Sequence, residues 1–278
     1  MTLTPSTITL NSGAVLPRIG LGTWPLTGAD AERAVASGIE VGYRHLDTAA
    51  AYGNEKAVGA AVNRSGVARS EMFVTSKIQG KDEDSRDVRG GLERSLTELD
   101  LEYLDLYLIH WPRPRLGRYV ETFTAMLDLV DEGLIRSVGV SNFKPAHLER
   151  LISETGQVPA VNQIQLNTTL ARLQTRECHA RHGIVTGAWS PLGSDGTLLR
   201  EPIVVALAEK YGRTPAQIAL RWHVQQDIVA VPRSVDPKRQ AQNLDVFGFA
   251  LEPAEIDELT GLDRGEAAAH DADLEERT

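Results

Sequence analysis

Short apolar runs alternate with longer amphipathic stretches along most of the chain. The runs fall at residues 19–22, 43–47, 72–76, 104–110, 137–141, 160–165, 184–188 and 228–232. Between them, residues 31–41, 84–99, 119–132 and 173–182 place apolar side chains three and four apart, the spacing that lines one face of an α-helix. Eight strand-like runs alternating with helices predict a parallel sheet, and eight strands is the number that closes a barrel. Ahead of the first run, residues 7–10 and 15–17 flank the turn-rich Asn11-Ser12-Gly13 and read as a β-hairpin. The interval before the last run holds two helical patterns. One covers 201–211; the other starts at Thr214-Pro215, where threonine caps and proline fits the first turn. A further helix is expected over 252–262, followed by a patternless tail rich in Ala, Asp and Glu. The fold expected is therefore an α/β (β/α)8 TIM barrel with an N-terminal β-hairpin and extra C-terminal helices. No linker or low-complexity block interrupts it, so residues 1–278 read as one domain.

A doubly wound dinucleotide-binding sheet is the competing architecture. Its fingerprint needs a third glycine and a helix opening directly behind the first strand. Here Gly20-Leu21-Gly22-Thr23-Trp24-Pro25 has neither. The barrel stands.

Composition narrows the partners. With 38 acidic against 29 basic residues the net charge is −9, which disfavours nucleic acid or an anionic membrane surface. No apolar run approaches the ~18 residues of a membrane span, and Met1 to Gly13 lacks the pattern of a secretory signal. One cysteine, Cys178, allows no internal disulfide and fits a reducing cytoplasm. His179 and His182 stand three apart on a helical pattern, but no other ligand completes a set in sequence. The expectation is a solvent-facing pair, with no metal.

In this fold, active sites form at the C-terminal ends of the strands. Asp47 ends the second strand, Lys77 the third and His110 the fourth, and Tyr52 lies just past Asp47. Singly these read as a turn residue, a solvated charge, a core histidine and a packing ring. Together, on adjacent strand ends, they suit acid–base chemistry. A phenol with a pKa near ~10 needs help to give up its proton at neutral pH. An ammonium beside it lowers that pKa, a carboxylate holds the ammonium, and the imidazole can orient a substrate oxygen. None of the four can deliver a hydride, so a nicotinamide cofactor is implied.

These segments carry a family resemblance. They are Gly-Tyr-Arg-His-Leu-Asp-Thr-Ala at 42–49 and Tyr-Gly-Asn-Glu at 52–55; Val-Thr-Ser-Lys at 74–77; and Asp-Leu-Tyr-Leu-Ile-His-Trp-Pro at 105–112. Gly-Val-Ser-Asn-Phe at 139–143, Asn-Gln at 162–163, Trp-Ser-Pro-Leu-Gly at 189–193 and Pro-Arg-Ser at 232–234 complete the set. From about Ile8 to Leu262 the chain resembles the aldo-keto reductase superfamily, and within it bacterial enzymes of the 2,5-diketo-D-gluconate reductase type. The resemblance implies a catalytic tetrad of Asp47, Tyr52, Lys77 and His110, with Tyr52 as proton donor in carbonyl reduction by NADPH. It implies Trp189 stacked on the nicotinamide, with Ser141, Asn142 and Gln163 bonded to its carboxamide. Ser190, Leu192, Gly193 and Ser194 would follow the cofactor to its pyrophosphate. Arg233, Ser234 and Arg239 would hold the 2′-phosphate, with Gln242 and Asn243 beside the adenine.

Cations at the start of a helix oppose its dipole unless an anion joins them, which also favours a phosphate there. Arg233 replaces the family's usual lysine, Gln242 a glutamate, and Asn167-Thr168 a His-Pro pair expected to affect packing only. Trp24 and Trp111 are the expected substrate-pocket aromatics. Short loops at 111–117 and after Gly193 suggest an open pocket for small aldehydes, ketones or dicarbonyls. The tail from Gly265 can cover the mouth or stay loose. A cytoplasmic monomer is expected. The alternatives are a non-catalytic NADPH-binding regulatory protein and a barrel enzyme forming a Schiff base on Lys77.

Overall fold

The computed structural model describes residues 6–84 and 87–274. A hairpin of β1 (Thr7–Thr9) and β2 (Val15–Pro17) opens the chain. Eight parallel strands follow: β3 (Leu21–Gly22), β4 (His45–Asp47), β5 (Phe73–Ile78), β6 (Leu106–Ile109), β7 (Val138–Ser141), β8 (Val161–Gln165), β9 (Val185–Trp189) and β10 (Val229–Ala230). They pair in strict chain order. The ring closes where Gly20 N donates to the Ala230 carbonyl (2.9 Å), Ala230 N to Arg18 (2.8 Å) and Gly22 N to Pro232 (3.1 Å). This is the expected (β/α)8 barrel.

The helices are α1 (Gly28–Glu40), α2 (Glu55–Arg64), α3 (Gly80–Asp84), α4 (Val88–Leu99), α5 (Tyr119–Asp131), α6 (Pro145–Thr155) and α7 (Leu173–His182). Then come α8 (Pro202–Tyr211), α9 (Pro215–Gln225), α10 (Pro237–Leu244) and α11 (Pro253–Thr260). Leu10 and Leu16 of the hairpin region pack with Phe73, Leu106, Ala160 and Val229 at the strand starts, so the hairpin plugs the barrel floor. The main core lies between strands and helices, around Leu46, Val74, Ile109, Phe123 and Val140.

Several element boundaries differ from expectation by a few residues, and two of them involve charged residues. The third barrel strand runs two residues past Ser76, because Lys77 and Ile78 stay in register with Leu108 and Ile109 of β6. A charged residue looks like a strand end in an apolar pattern, but here its charge is neutralised inside. The helix expected over 84–99 is described from Val88, where the Asp87 side chain accepts from Gly90 N; residues 85–86 lie outside the described set. Among the described residues no helix is long and apolar enough to cross a membrane.

Candidate active site

The C-terminal strand ends converge four side chains. Asp47 is the last residue of β4, and Lys77 reaches it from β5 with Nζ 2.7 Å from Oδ1. The same ammonium donates to the Thr48 carbonyl at 2.9 Å, and its charge acts on the Tyr52 hydroxyl. Tyr52 sits at the end of a single 3₁₀ turn, Ala50–Tyr52, that lifts it over the barrel mouth. Its ring lies 5.1 Å from Lys77 Nζ and edge-on to His110, with centroids 5.7 Å apart. Sequence expectation and structure agree that these four meet.

The Lys77–Asp47 pair is almost wholly buried, so each charge depends on the other. Burial opposes the Lys77 charge, but the Asp47 carboxylate and Tyr52 outweigh it and hold the ammonium above the ordinary lysine range. His110 is pushed down to about 3 by burial and then by the Lys77 charge, so it is a neutral imidazole at physiological pH. Tyr52 departs from expectation. Lys77 pulls its pKa down, but burial and the Asp47 charge push harder, and the phenol ends above its ordinary value. Its proton is therefore firmly held in this state.

Around this group the expected nicotinamide residues form one polar web. Gln163 on β8 donates from Nε2 to Asp47 Oδ2 at 2.6 Å, a partner that the sequence did not suggest. Ser141 Oγ donates to the Gln163 carbonyl at 2.8 Å. Asn142 holds a left-handed backbone (φ 65°), a strained state for a non-glycine that clusters at functional sites. Its side chain donates to the His110 carbonyl (3.0 Å) and accepts from Trp189 Nε1 (2.8 Å). Trp189 is thus fixed at one edge. Ser190, next to it, is also left-handed (φ 51°), and its carbonyl accepts from Asn167 Nδ2 at 3.3 Å. Asn167 therefore does more than pack: it ties the loop after β8 to the loop after β9.

Leu192, Gly193 and Ser194 follow on an increasingly open strip, with Leu192 still against the core. Beyond β10, Arg233 and Arg239 are exposed and make no ion pair among the described residues. Ser234 is buried, its Oγ accepting from Asp236 N at 3.2 Å. The dipole at the start of α10 is already met from within the chain, contrary to expectation. Asp236 caps α10 by accepting from Lys238 N and Arg239 N, so the chain supplies its own anion there. Any phosphate would rely on the arginine side chains. Asn243 is buried against the Tyr43 hydroxyl, whereas Gln242 is half-exposed.

Of the expected pocket aromatics, Trp24 stands 58% exposed and 5.2 Å from the Tyr52 ring, while Trp111 is 4% exposed beside His110. One contributor was missed altogether. Of the two outcomes open to the tail, residues 265–274 fold back, and His270 stacks on Trp189 with ring centroids 5.8 Å apart. Glu266 pairs with Arg172, and Asp271 and Asp273 with Lys144. A tail without hydrophobic pattern carries no signal for such docking.

The expected solvent-facing histidine pair also needs correcting. His179 is buried between Asn162 Nδ2 (2.8 Å) and Thr186 Oγ1 (2.8 Å); only His182 reaches the surface.

The profile of the Aldo/keto reductase family matches residues 18–264. The chain belongs to that family. It is 47% identical over 264 residues to an aldo-keto reductase of Mycolicibacterium smegmatis, covering 95% of this chain and 96% of that one. It is 44% identical over 270 residues to the methylglyoxal reductase DkgA of Escherichia coli, covering 97% and 98%. A mutant of Gox0644 in complex with NADPH superimposes with a TM-score of 0.92 at 38% identity, over 100% of both chains.

Proposed function

We propose that this protein is an NADPH-dependent reductase of small aldehydes, ketones or dicarbonyls, with Tyr52 as the proton donor. The observation that carries the reading is the buried Lys77 ammonium, bonded to Asp47 and Thr48 and facing the Tyr52 hydroxyl at the open end of the barrel. The surroundings suit the cofactor. The Trp189 ring is half-exposed beside a strained Asn142, and Arg233 and Arg239, which make no ion pair among the described residues, lie beyond β10. Trp189, Ser141, Asn142 and Gln163 would hold the nicotinamide. Ser190 would lie along the cofactor, Leu192, Gly193 and Ser194 would hold the pyrophosphate, and Arg233, Ser234 and Arg239 the 2′-phosphate, with Gln242 and Asn243 nearest the adenine. Bound there, NADPH supplies the hydride.

The chain's own residues handle the oxygen. Neutral His110 donates a hydrogen bond that orients the carbonyl. Tyr52 keeps its proton until negative charge develops on that oxygen, then transfers it. The Lys77 ammonium stabilises the phenolate left behind, and Asp47 keeps Lys77 charged. Trp24 and Trp111 flank the substrate.

Measured NADPH oxidation on a panel of glyoxals, aromatic aldehydes and keto sugars tests this. Tyr52→Phe is expected to lower the rate by roughly 10²–10⁴-fold while NADPH binding persists. Retention of most of the rate would sink the assignment. A Schiff base on Lys77 requires a free neutral amine, and this one is held as an ammonium. The finer substrate reading has two candidates, a 2,5-diketo-gluconate-type keto sugar or the methylglyoxal named for the E. coli relative, and the panel separates them. A single domain over residues 1–278, acting as a cytoplasmic monomer, belongs to the same proposal; gel filtration tests the oligomeric part.

A further inference from the structure

On the outer wall of the barrel, α6 and α7 bring Glu149, Cys178 and His182 together, with one potential ligand atom from each inside a mutual distance of 4.8 Å. Cys178 and His182 are four residues apart on α7, one above the other on the same helix face. Glu149 comes from the neighbouring helix α6. Its Oε1 lies 3.1 Å from His182 Nε2 and 3.9 Å from Cys178 Sγ. In a tetrahedral zinc site, bonds of about 2.3 Å to sulfur and about 2.0–2.1 Å to nitrogen and oxygen set ligand separations near 3.3–3.6 Å. The two separations from Glu149 fall on either side of that spacing, and all three donors lie within 4.8 Å of one another, so small side-chain shifts would bring them to it.

We propose that Glu149, Cys178 and His182 form a binding site for a zinc-class divalent cation, with water completing a tetrahedron. A sulfur, an imidazole and one carboxylate select zinc or cobalt over magnesium and calcium, which require oxygen ligands. Binding exchanges the Cys178 S–H bond for a metal–thiolate bond and releases that proton to solvent; no electrons move. Glu149 is about half exposed and leaves an entry path, while Cys178 is buried beneath it. Arg181 is the local opponent. Its Nη2 lies 3.6 Å from Glu149 Oε1, and at 60% exposure it is free to swing into water. His179 takes no part, being held by Asn162 and Thr186. The site lies on the helical shell, away from the strand ends that carry Tyr52, and would clamp α6 to α7.

The test uses the full chain stripped of metal and titrated with Co²⁺, then Zn²⁺. One equivalent of Co²⁺ should give tetrahedral bands with a thiolate charge-transfer absorption, displaced by Zn²⁺. Cys178→Ser should abolish the charge-transfer band. Because that position is buried, Glu149→Gln and His182→Ala serve as surface variants whose fold is checked by circular dichroism. Each should weaken Zn²⁺ affinity about tenfold or more, while Arg181→Ala should strengthen it. A folded protein with no thiolate band would overturn the site, as would Zn²⁺ affinity unchanged in both Glu149→Gln and His182→Ala.

Discussion

At the scale of single residues, the Lys77–Asp47 pair joins stability to chemistry. Both charges are buried, so removing one strands the other. Lys77→Met is expected to cost about 3–5 kcal/mol of stability and to abolish reduction. Urea unfolding and NADPH oxidation report the two losses separately. Sequence reasoning found this pair because Asp47 and Lys77 interrupt apolar runs at strand ends, where a barrel converges them. It did not find the balance that keeps Tyr52 protonated. The sign there depends on how far burial outweighs the Lys77 field, and no residue pattern encodes that. Nor did it find His270 or Glu149, whose partners are set by tertiary contacts between segments far apart in sequence.

At the scale of elements, helix spacing is set by small residues as much as by apolar stripes. Gly59 on α2 lies so close to α4 that a Cβ there would meet the Leu99 carbonyl at 1.9 Å. Backbone cannot swing aside as a side chain can. Gly59→Ala is therefore expected to destabilise by about 1–3 kcal/mol, despite the better helix propensity of alanine, and a fall in Tm measures it. Strand and helix types were legible from periodicity. Boundaries were less so, as at β5, where an internally neutralised lysine extends a strand that hydropathy ends early. Cap chemistry was legible at Thr214-Pro215, where the structure shows a complete capping box with Gln217.

At the scale of the whole molecule, four imidazoles are buried in neutral form. Burial pushes His45 and His223 down to about 4 and His110 and His179 down to about 3. Below about pH 6.5 the unfolded chain takes up protons that the folded chain refuses. Stability should therefore rise with pH between about 4 and 6.5, each histidine contributing up to about 1.4 kcal/mol per pH unit. Glu55 and Asp105, raised by burial, act in the opposite sense and blunt the slope. Urea midpoints measured across that range should climb with pH; a flat or falling profile would refute the neutral-histidine picture. The barrel itself was legible from eight alternating repeats.

The seam that closes the barrel also has a kinetic meaning. The strands β3 and β10 are each two residues long, and they join opposite ends of the folded sequence, so their pairing carries the largest loop-closure entropy in the sheet. This points to the seam as a late-forming and early-opening part of the ring. Trp24 follows one side of it, and Arg233 and Ser234 follow the other. A dinucleotide lying from the mouth to these arginines would act as a staple across the weakest joint. Saturating NADPH should accordingly slow protease cleavage near the seam, in proportion to its occupancy, and equal cleavage rates with and without it would show that the joint opens without disturbing the site.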